Sequence, residues 1–156
     1  MESFPDYDME SAVGYLIGHA AMRIRMGLRR LFMASGLDVT PEQWVVLFRL
    51  REREGLTQSE LGERTVRDKA TVTRILDRLE KKFLVERRRD PKDRRTQRIF
   101  LTEKGSVSLE ALMPLVRQYG ADLFDDIGSE DRTLLRRVLA HIEAKLDRVF
   151  AERGLA

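Results

Sequence analysis

Apolar residues recur at three- and four-residue spacing over residues 8–35, at Met9, Val13, Leu16, Ala20, Ile24, Leu28 and Leu31. That spacing predicts one long amphipathic helix. Ile17, Ala21 and Phe32 widen its apolar stripe beyond what a single neighbouring helix covers, and Gly36 supplies a stop. Thr40-Pro41-Glu42-Gln43 opens a second helix with a Thr cap, Pro at the first helical position and Gln at the third. This helix carries Trp44, Leu47, Phe48 and Leu50 and ends near Gly55. Thr57-Gln58-Ser59-Glu60 is a capping box for a short helix that ends around Thr65. Asp68 can cap a further helix running to Phe83, in which Val72, Ile75, Leu76, Leu79 and Phe83 share one face.

From residue 85 the period changes to two. Val85, Arg87 and Arg89 alternate with Glu86 and Arg88, and Gln97, Ile99 and Leu101 alternate with Arg98 and Phe100. Asp90-Pro91-Lys92-Asp93 lies between them as a turn, so the segment predicts a two-stranded hairpin with a charged tip. Thr102 then caps a helix holding Val107, Leu109, Leu112, Leu115 and Val116, with a kink expected at Pro114. Ser129 caps the last helix, striped by Leu135, Val138, Leu139, Ile142, Leu146 and Val149. No repeat, low-complexity stretch or long linker interrupts this order.

Composition narrows the chemistry. The 156 residues fit one domain and include no cysteine, which excludes disulfides, thiolate metal sites and cysteine nucleophiles and agrees with a cytoplasmic location. His19 and His141 are the two histidines, too few for a histidine-rich metal centre. No apolar run spans a bilayer, and the acidic start MESFPDYDME does not read as a secretory signal. Net charge is +3, yet residues 64–98 hold fourteen Lys and Arg against six Asp and Glu, so the remainder is net acidic. Such clustering points to a polyanion met by one region. A GC-rich coding bias would account for the excess of Arg over Lys, though not for where the cations gather.

The helix over residues 68–83 turns Ala70, Thr73, Arg74, Asp77 and Lys81 away from its apolar face, with Thr71 and Arg78 flanking. Small residues, hydroxyls and one arginine in the first two turns suit an N-terminal half that enters a DNA major groove. Thr71 and Thr73 can bond phosphates or base edges, Ala70 can touch a thymine methyl, and Arg74 can reach guanine or phosphate. An ordinary amphipathic surface helix would look similar, but a short capped helix precedes this one at helix-turn-helix spacing. A basic hairpin also follows it, with Arg87, Arg88, Arg89, Lys92, Arg94, Arg95 and Arg98. Arginines at such a tip can enter a neighbouring minor groove. Asp93 is expected to hold Arg94 or Arg95 by an ion pair.

The run DKATVTRILDRLEKKFLVERRRDPKDRRTQRIFLTEKG resembles the recognition helix and wing of the MarR family of winged-helix regulators. The matching positions are Thr71-Val72-Thr73-Arg74, Leu79-Glu80-Lys81-Lys82, Asp93 with Arg95, and Leu101-Thr102 with Gly105. Phe83 departs from the pattern, which has glycine after the paired lysines. The resemblance implies a mainly α fold: a winged helix-turn-helix with a two-stranded β wing, flanked by long N- and C-terminal dimerisation helices. It implies a single domain over residues 1–156, with dimerisation helices at 1–36 and 105–156 and a DNA-binding lobe at 37–104.

Functionally, it implies a ligand-responsive homodimer that represses its own and adjacent genes from a pseudo-palindromic duplex operator, with no cofactor, metal or membrane. The implied DNA-binding set is Lys69, Ala70, Thr71, Thr73, Arg74, Arg78, Arg89, Lys92, Asp93, Arg94 and Arg95. A small aromatic or phenolic effector would meet candidates on the first two helices, namely His19, Arg23, Trp44 and Phe48. The absence of cysteine excludes a thiol switch. The sequence holds no phosphate-cradling glycine loop, paired-histidine motif or nucleophile motif, so an enzyme is not expected. The other alternative is a winged helix that binds RNA or protein.

Overall fold

In the computed structural model, residues 8–154 are described. The acidic start at residues 1–7 and the last two residues of the expected dimerisation segment lie outside them. The chain forms six helices and three short strands among these residues. They are α1 (Val13–Ala34), α2 (Pro41–Glu52), β1 (Leu56–Thr57), α3 (Gln58–Thr65), α4 (Lys69–Lys81), β2 (Val85–Arg89), β3 (Gln97–Leu101), α5 (Glu103–Phe124) and α6 (Ser129–Arg153). Contacts gather into two compact units, one up to Val116 and one from Arg117 onward.

The first unit holds the apolar core. Phe32, Val46, Leu47, Leu50, Leu56, Leu61, Val72, Leu76, Leu79 and Ile99 are fully buried. Each such side chain contributes about 1.5–3 kcal/mol. An exposed helical pair such as Arg49–Glu52 contributes about 0.3–0.5 kcal/mol, so the core decides the lobe's stability. Both predicted capping boxes form: Thr40 and Gln43 exchange side-chain and backbone bonds at α2, and Thr57 and Glu60 do so at α3. Asp68 caps α4 through the Thr71 amide at 2.8 Å. Thr102 accepts the Gly105 amide at 3.0 Å at the start of α5.

The sheet has the order β1-β3-β2, all antiparallel, with Val85 opposite Leu101 and Leu56 opposite Ile99. β2 and β3 form the expected two-stranded wing, and β1 adds a third strand that the sequence pattern did not indicate. β1 has two residues, too few to alternate, and one of them is the Thr57 cap.

Three helix ends also differ from expectation. α1 starts at Val13, because Asp8 accepts the Glu10 amide in a turn ahead of it. α4 stops at Lys81, and Phe83 turns left-handed at φ 59 with its side chain 72% exposed, so it does not extend the buried stripe. α5 continues as one helix through Pro114, as expected. At α6, Gly128 occupies the cap position and makes no side-chain bond, leaving Ser129 as the first helical residue.

Gly105 fixes how α5 meets the turn after α4. A Cβ there would sit 2.0 Å from the Leu84 carbonyl oxygen. Only the bare glycine lets Thr102 donate to the Phe83 carbonyl at 2.6 Å and Lys104 donate to that of Lys82 at 2.8 Å. No helix among the described residues is long and apolar enough to cross a membrane.

Candidate nucleic-acid interface

α4 buries Val72, Ile75, Leu76 and Leu79 and exposes Lys69, Ala70, Arg74, Asp77 and Arg78, with Thr71 and Thr73 half-buried. Its first turn is held rigid. The Thr71 hydroxyl donates to Asp68 at 2.7 Å and accepts from Arg74 at 3.0 Å, which aims the guanidinium along the exposed face. The Thr73 hydroxyl donates to the Lys69 carbonyl at 2.8 Å and accepts from Gln58, the first residue of α3. Gln58 was not singled out in the sequence, although its place beside the Thr57 cap puts it against α4. The Thr71 amide, then the Thr71 hydroxyl, keeps the Asp68 carboxyl below the ordinary aspartate range.

The wing separates its cations into two groups. Arg87 donates to Asp77 at 2.7 Å and also to Glu80, tying β2 to α4. Arg88 pairs with Glu86 and lies over the Phe100 ring, 4.6 Å from its centroid. Arg98 pairs with Asp90 and donates to the Gly55 carbonyl at 2.9 Å, fastening the base of the wing to the turn before β1. Arg89, Lys92, Arg94 and Arg95 are exposed, and no carboxylate among the described residues pairs with them. The tip therefore presents uncompensated positive charge.

Asp93 makes no arginine ion pair among the described residues. It accepts the Arg95 amide at 3.0 Å and the Thr96 hydroxyl at 2.7 Å, which shapes the tip's backbone. The acid that pairs with an arginine is Asp90, 6% exposed, which also accepts the Lys92 amide at 2.7 Å. That amide, then the Arg98 guanidinium, holds the Asp90 carboxyl below its usual range. In sequence Asp90 reads only as a turn residue beside Pro91.

Between α1 and α2 lies a groove of about 340 Å³ whose walls include Ile24, Arg25, Leu28, Trp44, Val45 and Arg67. Trp44 is the predicted effector residue that lines it. His19 stacks on Tyr15 at 5.7 Å between centroids. Neither His19 nor Arg23 lines the groove, because Ile24, Arg25 and Leu28 lie on a different face of α1. The Phe48 ring lies 5.8 Å from that of Trp44, centroid to centroid, and does not line the groove. Arg67, unnoticed in the sequence, completes the lining.

A MarR-family sequence profile matches residues 39–96. Over 139 residues the chain is 32% identical to the HTH-type transcriptional repressor NicR of Pseudomonas putida, with 85% of each chain covered. The chain belongs to the MarR family. Its fold also matches solved structures of other regulators. One is the transcriptional repressor CouR bound to a 23-mer DNA duplex, with TM-score 0.79, 26% identity, and 91% of this chain and 99% of that one covered. Another is BpsR of Bordetella bronchiseptica, whose DNA binding is regulated by 6-hydroxynicotinic acid, with TM-score 0.81, 26% identity, and 89% and 98% covered. The MarR chain described here is accordingly a winged helix-turn-helix transcription regulator.

Proposed function

We propose that this MarR protein is a cytoplasmic, non-enzymatic homodimeric repressor of its own and adjacent genes, released from a pseudo-palindromic operator by a small aromatic or phenolic effector. The observation that carries the DNA reading is the pairing of a rigidly capped, basic α4 face with four uncompensated cations on the wing. Lys69, Ala70, Thr71, Thr73, Arg74 and Arg78 read or flank the major groove. Arg89, Lys92, Arg94 and Arg95 take the adjacent minor groove and backbone, and Asp93 shapes the loop that presents them. The relatives support this: one is a repressor, one is bound to duplex DNA, and one is regulated by an aromatic acid.

Residues 37–104 form the DNA-binding lobe, and 1–36 with 105–156 supply dimerisation helices. α1 leaves Val13, Leu16 and Ile24 exposed along one face, and α6 has no buried residue while Leu135, Val138 and Leu146 stay exposed, so each helix has an apolar face for a second copy. The groove beside Trp44 is the effector site, within the range of small-molecule pockets.

The test is a gel shift with duplex DNA from the region upstream of the protein's own gene, competed by unrelated duplex and by RNA. A retarded complex that survives excess unrelated duplex and RNA is expected. Equal competition by RNA would instead favour the RNA-binding alternative and overturn this reading.

A further inference from the structure

The Thr73 hydroxyl is engaged twice within the protein, and its partners fix which way its proton goes. It lies 2.8 Å from the Lys69 carbonyl oxygen, one turn back on α4, and 2.5 Å from the Gln58 side-chain nitrogen at the start of α3. A carbonyl only accepts, so the Thr73 proton goes to Lys69. The Gln58 nitrogen is also 3.2 Å from that carbonyl. Turning the amide over would set its oxygen against the Lys69 oxygen, acceptor against acceptor, so the nitrogen faces α4 and donates to Thr73. A hydroxyl has one proton and two lone pairs. Thr73 has committed the proton and one lone pair, and it is half-buried, so what it offers DNA is the second lone pair.

Thr71 is in the same condition. Its proton goes to the Asp68 carboxylate at 2.7 Å, and one lone pair receives the Arg74 guanidinium at 3.0 Å. A phosphate oxygen only accepts, and neither threonine has a proton to give it. On this face phosphate contacts fall instead to the exposed cations Lys69, Arg74 and Arg78. In the major groove the amino groups of cytosine and adenine donate, whereas guanine and thymine present acceptors and the thymine methyl. The two threonines differ in what holds them. The partner of Thr71 is an exposed arginine that DNA itself attracts, while Gln58 comes from another helix and is tied to the Lys69 carbonyl as well.

Resting on the placement of α4 in the major groove above, we infer that Thr73 determines specificity by accepting from an amino base, cytosine or adenine, against a keto base, guanine or thymine, and that Gln58 is the positioning residue that holds it to this reading. A keto oxygen brought to Thr73 meets a lone pair with no proton between them, and two desolvated acceptors are left unsatisfied. Without the Gln58 donor the Thr73 hydroxyl can rotate and give its proton to a keto oxygen, so the distinction fades. Gln58 acts through Thr73, and its loss changes which base is preferred more than how tightly DNA is held.

The test is selection from a pool of randomised duplexes by the full-length protein and by Thr73→Val, Thr73→Ser, Gln58→Met and Arg74→Ala, with bound sequences counted. Base preferences are compared within each selection, which cancels any general loss of affinity or of folded protein. In the parent, one position of each half-site should favour cytosine or adenine over guanine or thymine about fivefold, the worth of one net hydrogen bond. Thr73→Val keeps the shape and the methyl but lacks the hydroxyl, so that ratio should fall to near one while other positions keep theirs. Thr73→Ser should retain it. Gln58→Met keeps the length without a donor, and the ratio should fall at the same position. If Thr73→Val leaves every preference intact or erases one for guanine or thymine, or if Thr73→Ser loses the ratio as fully, the acceptor reading is overturned. A Gln58→Met ratio equal to the parent's overturns the positioning role. Should Arg74→Ala alter another position while Thr73→Val alters none, this inference fails alone. Should neither alter any, α4 does not read bases and the placement beneath it fails too.

Discussion

At the C-terminal end of α4 the backbone closes in a Schellman arrangement. The Phe83 amide donates to the Glu80 carbonyl and the Leu84 amide to that of Leu79, both at 2.9 Å. The arrangement needs a left-handed residue, and this chain supplies Phe83 where the family pattern has glycine. Its exposed ring gains little beyond proximity to the Lys104 ammonium, 5.9 Å from the ring centroid. Phe83→Gly should therefore stabilise the protein by about 1 kcal/mol, seen as a higher melting temperature with DNA affinity retained. An unchanged or lower melting temperature would mean that the ring does more than fill a turn.

Arg74 and Arg95 divide the readout at the same scale. Arg74→Ala should cost about 1–3 kcal/mol of discrimination at one base pair, measured with single-base operator variants. Arg95→Ala should instead weaken all sequences together and flatten the salt dependence. Unchanged affinity in both variants would remove α4 and the wing from the interface.

Among the elements, the caps and turns are tied by carboxylates with depressed pKa values. Glu60 is lowered by the Thr57 amide, Asp68 by the Thr71 amide, Asp90 by the Lys92 amide and Asp93 by the Thr96 hydroxyl. Because the folded values lie below the unfolded ones, this stabilisation is complete above the ordinary carboxylate range. It is lost as pH falls through the folded values. Thermal stability should thus stay nearly level from pH 7 to about 5 and drop below about 4, as calorimetry across that range would show. A decline beginning near pH 6.5 would point to histidine instead.

The elements also show what a sequence can disclose. Capping boxes at Thr40 and Thr57 and the Asp68 cap were legible because their bonds are local, closing within three residues. The stripe of α4 was legible up to Leu79 and misleading at Phe83, where turn chemistry overrides periodicity. β1 escaped notice because two residues carry no pattern. The Asp90–Arg98–Gly55 link and the place of Arg67 in the groove were illegible for a different reason: they join residues 43 apart or on separate elements, and only folding brings them together.

For the whole molecule, the proposed dimer sets a geometric demand on DNA. Two recognition helices related by a two-fold axis enter successive major grooves about 34 Å apart, so the operator should be an inverted repeat with half-site centres about ten base pairs apart. Inserting five base pairs turns one half-site to the far side of the duplex. High-affinity binding should vanish while the weaker, salt-sensitive term persists. Full affinity for the lengthened site in an anisotropy titration would exclude paired readout by a two-fold dimer.

α6 runs for 25 residues without burying any of them within its own chain. If a second copy covers this helix, as proposed, the protection of α6 depends on protein concentration. Limited proteolysis should then cut within residues 129–153 in dilute solution and spare them in concentrated solution, whereas cleavage independent of concentration would show that no second copy covers the helix.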